Sequence, residues 1–216
     1  MFATMPSMTV LQGSLFDTGS EPGLRPLDGA LRRIPLGDGA WIDHLPGWVE
    51  RSDLFFEALV AGVPWRSDER VMYDRTVAVP RLVAHYGAGD VIPHPLLDRA
   101  RSALAGHYRG RPGGELATTG LCLYRDGRDS VAWHCDTIGR GATGDTLVAI
   151  VSLGWPRRLH LRPTQGGGRT RTFALGGGDL LVMGGSCQRT WQHAVPKTAR
   201  PVGPRVSVQF RPQGVR

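Results

Sequence analysis

Lysine is nearly absent from this chain: of 26 basic residues, only Lys197 is a lysine. Cysteine is scarce as well. Cys122, Cys135 and Cys187 form an odd set with no C-x-x-C spacing. That excludes a zinc ribbon and a disulfide scaffold, and it fits a reducing cytoplasm. No apolar run approaches the ~18 residues of a membrane span. The first residues, M-F-A-T-M-P-S-M-T-V, lack a charged stretch followed by an apolar one, so no secretion signal is expected. Internal repeats and heptads are missing too. The 216 residues therefore suit one domain with a substantial core and a short extension. The net charge is +7 and the pI about 10.1. Such a balance attracts phosphate backbones without any sequence recognition. A composition rich in Arg, Ala, Gly, Val and Pro, as a GC-rich genome produces, explains the same charge without a nucleic-acid partner.

The chain divides by composition. Residues 1–39 are rich in Gly, Pro and polar side chains and read as an extension, with short strands at 32–35 and 40–43. Residues 40–120 carry two helical patterns. One covers 52–60, with Leu54, Phe55, Ala58 and Leu59 on a stripe and Gly62-Val63-Pro64 ending it. The other follows Pro95, with Leu97, Ala100, Leu104 and Tyr108 at helical spacing, and the Gly-rich run 109–114 ends it. A strand is expected at 76–86. From Leu121 to residue 212 the pattern changes to short strands, at 121–124, 131–134, 146–153, 158–162, 171–174, 179–183 and 205–211. Such strands with Gly-rich turns between them predict a mainly β domain, a barrel or jelly roll, with flanking helices. The Gly runs 166–168 and 176–178 each precede a strand, so they read as hairpin turns and not as phosphate loops.

Chemistry concentrates in three places. W-H-C-D at 133–136 sets His134 and Asp136 two residues apart, which on an extended segment turns them to one side. W-Q-H at 191–193 supplies His193. Two histidines and a carboxylate on one face of an iron leave its other positions open to substrate and oxygen. The segment R-V-S-V-Q-F-R at 205–211 alternates strictly, with Arg205, Ser207, Gln209 and Arg211 on one face. At ~3.3 Å per residue the two Arg Cα atoms lie about 20 Å apart, and each side chain reaches roughly 6 Å. Their guanidinium groups can bracket a small dicarboxylate lying along the strand. Triad and clamp together point to an oxygenase that uses Fe(II), 2-oxoglutarate and O2.

Five stretches carry a family resemblance: 121–136 (L-C-L-Y-R-D-G-R-D-S-V-A-W-H-C-D), 150–154 (I-V-S-L-G), 178–185 (G-D-L-L-V-M-G-G), 190–197 (T-W-Q-H-A-V-P-K) and 204–211 (P-R-V-S-V-Q-F-R). With V-P-R-L-V-A-H-Y-G at 79–87, they resemble the AlkB family of Fe(II)/2-oxoglutarate dioxygenases over roughly residues 40–212. The resemblance is greatest to its DNA-repair branch. It implies a double-stranded β-helix, that is a jelly roll, over 121–212, with helical support and a nucleotide-recognition lid over 40–120. By the same resemblance His134, Asp136 and His193 are the iron ligands. Arg205 pairs with the distal carboxylate of 2-oxoglutarate, Arg211 sits near its keto-acid end, and Tyr124 hydrogen-bonds it. The implied activity removes N-alkyl groups from nucleic-acid bases and releases formaldehyde, succinate and CO2. Alternatives are an oxygenase acting on RNA, protein or a small molecule, and a silent nucleic-acid-binding module.

The chain departs from the family pattern at several positions. Cys122 stands where Asn is usual, and Ser207 and Gln209 replace Asn and Thr. Ile138 stands where repair members often place an acidic residue that faces the damaged base, and Asp145 is the nearby carboxylate that folding could bring back. Tyr73 in the lid and Tyr86 near the flipped base are candidate stacking residues. Arg70 and Arg75, with Arg66 and Arg81, are candidate phosphate contacts. Trp133 and Trp191 flank ligands and are expected to be structural. Outside the domain, Q-G-S-L-F at 12–16 resembles a sliding-clamp pentapeptide, with Gln12, Leu15 and Phe16 as its contacts. The expected protein is a cytoplasmic, nucleoid-associated bacterial monomer with no membrane contact.

Overall fold

A computed structural model describes residues 21–72, 75–137 and 139–215, and at 68–79 and at 140 no side chain is described. In chain order the strands before the first helix are β1 (Gly23–Leu24), β2 (Arg32–Gly37), β3 (Ala40–Leu45) and β4 (Val49–Glu50). Helix α1 (Ser52–Gly62) follows, then β5 (Arg66–Met72), β6 (Arg75–Tyr86) and helix α2 (Pro95–His107). Next come β7 (Leu116–Tyr124), β8 (Val131–His134), β9 (Val148–Gly154), β10 (Arg157–Pro163), β11 (Arg171–Leu175) and β12 (Asp179–Gly184). A single helical turn, α3 (Cys187–Thr190), leads to β13 (Trp191–Val195) and β14 (Arg205–Pro212).

Two antiparallel sheets face each other. The larger runs β2-β3-β12-β9-β14-β7-β6-β5, and the smaller runs β11-β10-β13-β8. Alternation along the central strands divides the interior into two cores. Val206, Val208 and Phe210 of β14, with Ala149, Val151 and Leu153 of β9, pack towards the helices. Val148 and Ile150 of β9 pack towards the small sheet, with Leu159, Leu161 and Val195. Burying one such Leu or Val contributes about 1.5–3 kcal/mol. The helix-side face of the large sheet is therefore wholly apolar on β14, and the opposite face is free to carry Arg205, Ser207, Gln209 and Arg211.

The helices cover that apolar face. In α2 Pro95 stands in the first turn and His94 Nδ1 accepts from the Leu96 amide at 3.1 Å, which caps the start. Leu96, Leu97, Ala100, Leu104 and Tyr108 are buried at the expected spacing. In α1 the stripe is narrower than expected. Phe55 and Leu59 are buried, whereas Leu54 (39% exposed) and Ala58 point to solvent. One end of the helix side is polar: Asp43 accepts from Arg33 and, at 2.9 Å, from the buried Tyr108 hydroxyl.

Several expectations need correction. Gly166–Gly168 turns the β10–β11 hairpin as expected, but Gly176–Gly178 does not turn a hairpin. It carries the chain from β11 in the small sheet to β12 in the large one. Strand β13, which carries His193, has no equivalent among the expected strands. Strand β7 starts at Leu116, five residues before Leu121, because polar Thr118 and Thr119 are buried within the sheet. Residues 66–72 form a strand of their own, β5, paired with β6. The composition break at 39/40 falls inside the β2–β3 hairpin, where Gly37 opposes Ala40.

Candidate active site

His134 ends β8 and His193 lies directly opposite it on β13. That cross-strand pairing brings the two imidazoles to 4.1 Å between centroids. Asp136 follows His134 by two residues, and its Oδ1 lies 3.8 Å from His134 Nε2. One donor atom from each of the three residues falls within 4.8 Å of the others. The ring of His134 is oriented by a 2.8 Å contact between Nδ1 and the Ala132 carbonyl, which leaves Nε2 directed at the triad. His193 Nδ1 is buried without a protein partner. Two imidazoles, one carboxylate and an orphaned ring nitrogen fit a divalent transition metal with open positions.

Electrostatics keeps the triad in a metal-ready state. Burial alone would raise the Asp136 carboxyl, but Arg211 and the two imidazoles outweigh it and hold the pKa at about 2. Arg211 Nε donates to Asp136 Oδ2 at 2.9 Å. Burial, reinforced by His134, pushes His193 down to about 3. Burial also lowers His134, against the pull of Asp136. At neutral pH the triad is one carboxylate and two neutral imidazoles, the protonation state that binds metal.

The triad opens into a cleft. Its polar wall is Arg81, Cys122, Tyr124, Arg205, Ser207, Gln209 and Arg211, and its apolar wall includes Val131, Val148, Ile150, Leu159 and Val195. Arg205 is 1% exposed, its Nε donates to Ser152 Oγ at 2.9 Å, and its Nη1 has no partner. A buried guanidinium with an unsatisfied donor calls for an anion. Tyr124 backs it, with Arg205 5.2 Å from the ring centroid. Burial raises the Tyr124 phenol to about 12, so it stays a neutral donor.

The departures at 122, 207 and 209 prove to be one linked set. Gln209 Nε2 donates to Ser207 Oγ at 2.6 Å and to the Ser207 carbonyl at 2.9 Å. Its Oε1 lies 3.8 Å from Cys122 Sγ, and Arg81 Nε approaches the same sulfur at 3.4 Å. The longer Gln thus spans the gap that the shorter Ser leaves. Gly120 makes room for it, since a Cβ there would stand 3.1 Å from Arg211 Nη1 and 3.2 Å from Gln209 Oε1.

The substrate-facing candidates are placed unevenly. Tyr73, Ile138, Gln12, Leu15 and Phe16 lie outside the described residues, as do the side chains of Arg70 and Arg75. Tyr86 packs against the helix-side core with its hydroxyl buried and unpartnered, and it is not among the residues lining the cleft. On β6 the cleft is reached by Arg81, which was grouped with the lid as a phosphate contact. Asp145 does not return to the triad as its nearest carboxylate: it pairs with Arg189 of α3 at 2.7 Å. Trp133 lies outside the cleft, with Arg162 stacked 4.3 Å from its ring centroid, and Trp191 is 7% exposed in the inter-sheet core.

Sequence reasoning missed three residues that hold the site. Gln188 is 1% exposed, and its Oε1 accepts from the Asp136 amide at 2.9 Å. Ser152 orients Arg205, and its only signal was a polar residue inside the apolar run I-V-S-L-G. Arg157 is buried and ties the turn before β8 to the segment after β13. No local pattern singles out Gln188 or Arg157, because both act across more than 25 residues of sequence.

The sequence profile of the 2OG-Fe(II) oxygenase superfamily matches residues 85–211. Human "Alpha-ketoglutarate-dependent dioxygenase alkB homolog 3" is 31% identical over 194 residues, covering 77% of this chain and 64% of its own length. "DNA oxidative demethylase ALKBH2" of Arabidopsis thaliana is 27% identical over 220 residues, covering 83% of this chain and 68% of its own. Among solved structures, a 2OG-Fe(II) oxygenase-family oxidoreductase from Burkholderia pseudomallei superposes with TM-score 0.54 at 14% identity, over 81% of this chain and 86% of that one. OsALKBH1 gives 0.52 at 15% identity, over 84% of this chain and 100% of that one, and both likenesses concern the fold alone.

Proposed function

From the premise that the chain belongs to the 2OG-Fe(II) oxygenase superfamily, we propose that it is an oxidative demethylase of alkylated nucleic-acid bases, with DNA as its substrate. Its cofactors are Fe(II), 2-oxoglutarate and O2. The observation that carries the reading is the cleft itself: a His-Asp-His cluster at one end and an unsatisfied buried guanidinium at the other. A nucleic-acid substrate is supported by the net charge of +7, and the choice of DNA by the name of the Arabidopsis relative.

His134, Asp136 and His193 would hold the iron. When bound, the iron with 2-oxoglutarate and O2 would supply the oxidation of an N-methyl group, from which formaldehyde, succinate, CO2 and the restored base result. Arg205 would take the distal carboxylate of the co-substrate through its open Nη1, with Tyr124 as a neutral donor beside it. Arg211 fixes Asp136 and closes the other end. Cys122 and Ser207 line the middle, where Gln209 fills the space. The apolar wall of Val131, Val148, Ile150, Leu159 and Val195 would limit the access of water to the reacting centre. We assign substrate contacts to Tyr73, Ile138, Arg70 and Arg75 from the family resemblance. Tyr86 is left with the weaker claim, because its hydroxyl points into the core. Gln12, Leu15 and Phe16 would meet a sliding clamp in a cytoplasmic, nucleoid-associated monomer. No helix among the described residues is long and apolar enough to cross a membrane.

The test is a panel of oligonucleotides carrying single N-methyl bases, as DNA and as RNA, incubated with protein, Fe(II), 2-oxoglutarate and O2. Restored base and stoichiometric formaldehyde from methylated DNA are expected. Succinate production with no loss of methyl from any member of the panel would place the substrate outside nucleic acids.

A further inference from the structure

A second concave cationic surface lies away from the triad, on the reverse of the small sheet. The turn from β9 to β10 and the segment 196–202 flank an open groove. Arg158, Lys197 and Arg200 line it and are exposed, and His160 stands in its wall. No carboxylate lines it. The acidic groups of the adjoining turn are already closed, Asp126 by Arg128 at 2.7 Å and Asp129 by Arg125 at 2.8 Å.

The groove is preformed. Its floor is Arg157, whose guanidinium donates to the carbonyls of Asp126 and Asp129 at 3.0 Å each and of Pro196 at 2.7 Å. The amide of Thr198 donates to the Gly127 carbonyl at 2.8 Å. These bonds pin the 196–202 segment, so its cations need little ordering on binding.

At one end stands Trp155. It is 51% exposed, the most open aromatic side chain among the described residues. Its indole rests on Gly203, where a Cβ would come within 3.0 Å of the ring. Its amide donates to the Pro204 carbonyl at 2.9 Å. The ring is thus clamped on one side and open on the other. A rigid aromatic face beside a row of cations is the arrangement by which proteins hold single-stranded nucleic acid, with bases stacked and phosphates paired. The other apolar lining is Pro156, Pro196, Pro201 and Val202, which leaves no deep pocket for an apolar anchor of a protein partner.

We propose that this groove binds a single-stranded nucleic-acid segment, with Arg158, Lys197 and Arg200 on its phosphates and a base stacked on Trp155. The proposal rests on the nucleic-acid reading of the function and extends it from the reacting base to the strand that carries it.

The test uses the full chain loaded with Mn(II) and an unmethylated, fluorescently labelled single strand of about 12 nucleotides. Trp155→Ala should weaken binding about fivefold or more, and Trp155→Phe should recover most of it, since a stacking face remains. Replacing Arg158, Lys197 and Arg200 together by Gln should lower the slope of log affinity against log salt by roughly two, at about 0.7 per phosphate contact. Unchanged affinity and slope in both variants would overturn the groove while leaving demethylation of a methylated panel intact. If polyglutamate binds with the same dependence on Trp155, the partner is an acidic protein and the proposal fails. If the wild-type protein binds no strand at low salt, the groove and the nucleic-acid function fail together.

Discussion

The two ends of the polar face of β14 are built on opposite plans. At Arg211 the guanidinium meets Asp136 at 2.9 Å, and the charges of the site compensate each other. At Arg205 the side chain is buried like those of the core, yet one of its guanidinium nitrogens has no partner. Both are arginines on one face of one strand, six residues apart. The difference comes from what each meets: the Asp136 carboxylate at one end, and at the other the neutral Ser152 and Tyr124 of the neighbouring strands β9 and β7. An internally satisfied charge is a structural anchor. An unsatisfied buried charge is a binding site, because the desolvation penalty is recovered only when an anion arrives.

The comparison is broken most severely at the anchored end. Asp136→Ala removes a metal ligand and strands Arg211 together. Metal binding, followed by Co(II) absorption, should fall more than 100-fold, and turnover should vanish. Undiminished Co(II) affinity would remove the triad assignment. At the open end Arg205→Ala should leave Co(II) binding nearly unchanged and raise the requirement for 2-oxoglutarate about 10-fold or more. One lost charge-assisted bond, worth about 1.5–3 kcal/mol, accounts for that. If the two titrations shift together, the ends are not independent.

Acid should act on the anchored end first. In the metal-free protein His193 has a pKa of about 3, below its ordinary 6.5. As pH falls below 6.5 the unfolded chain takes up a proton that the folded chain refuses, so stability declines from there towards pH 3. Asp136, at about 2 against 3.8, contributes stability that is present above pH 3.8 and lost as pH falls towards 2. The urea midpoint should therefore drop between pH 7 and pH 5, and His193→Gln should flatten that drop. An equal drop in the variant would assign the acid sensitivity elsewhere.

The smallest effect is expected in the middle of the cleft. Cys122→Asn offers a neutral donor between the two ends, beside Gln209 and Arg81. Because Gln209 already fills the space left by Ser207, the requirement for 2-oxoglutarate should change by about threefold or less. A change as large as that of Arg205→Ala would show that the Gln209 bridge does not replace the missing Asn.

Much of the site was legible because it obeys a period. The strict alternation of 205–211 sorts Arg205 and Arg211 onto one face whatever the rest of the chain does, whereas His134 ends β8 and Asp136, just beyond the strand, is placed by its bonds to Gln188 and Arg211. The helix over 95–107 and its buried Leu97, Ala100 and Leu104 follow from their spacing in the same way. The illegible parts lack a period or act across long loops. Strand β13 is five residues of mixed polarity, so nothing local marks it as extended. Gln188 meets the Asp136 amide across 52 residues. Gly176–Gly178 has the composition of a hairpin turn, and only the pairing of its neighbours shows that it crosses between sheets.

By itself, then, the sequence determined which side chains are available and which share a face: a His-x-Asp pair, a distant His, and an arginine at each end of an alternating strand. Side-chain direction in a strand is a local property of the backbone, so it can be read from spacing. Only the tertiary structure decided what faces what. Pairing of β8 with β13 set His193 opposite His134, the return of β14 beside β9 set Ser152 against Arg205, and Arg211 rather than solvent came to face Asp136. These are contacts between segments far apart in the chain. Their charges and burial depend on the packing of both sheets, which no single stretch of residues encodes.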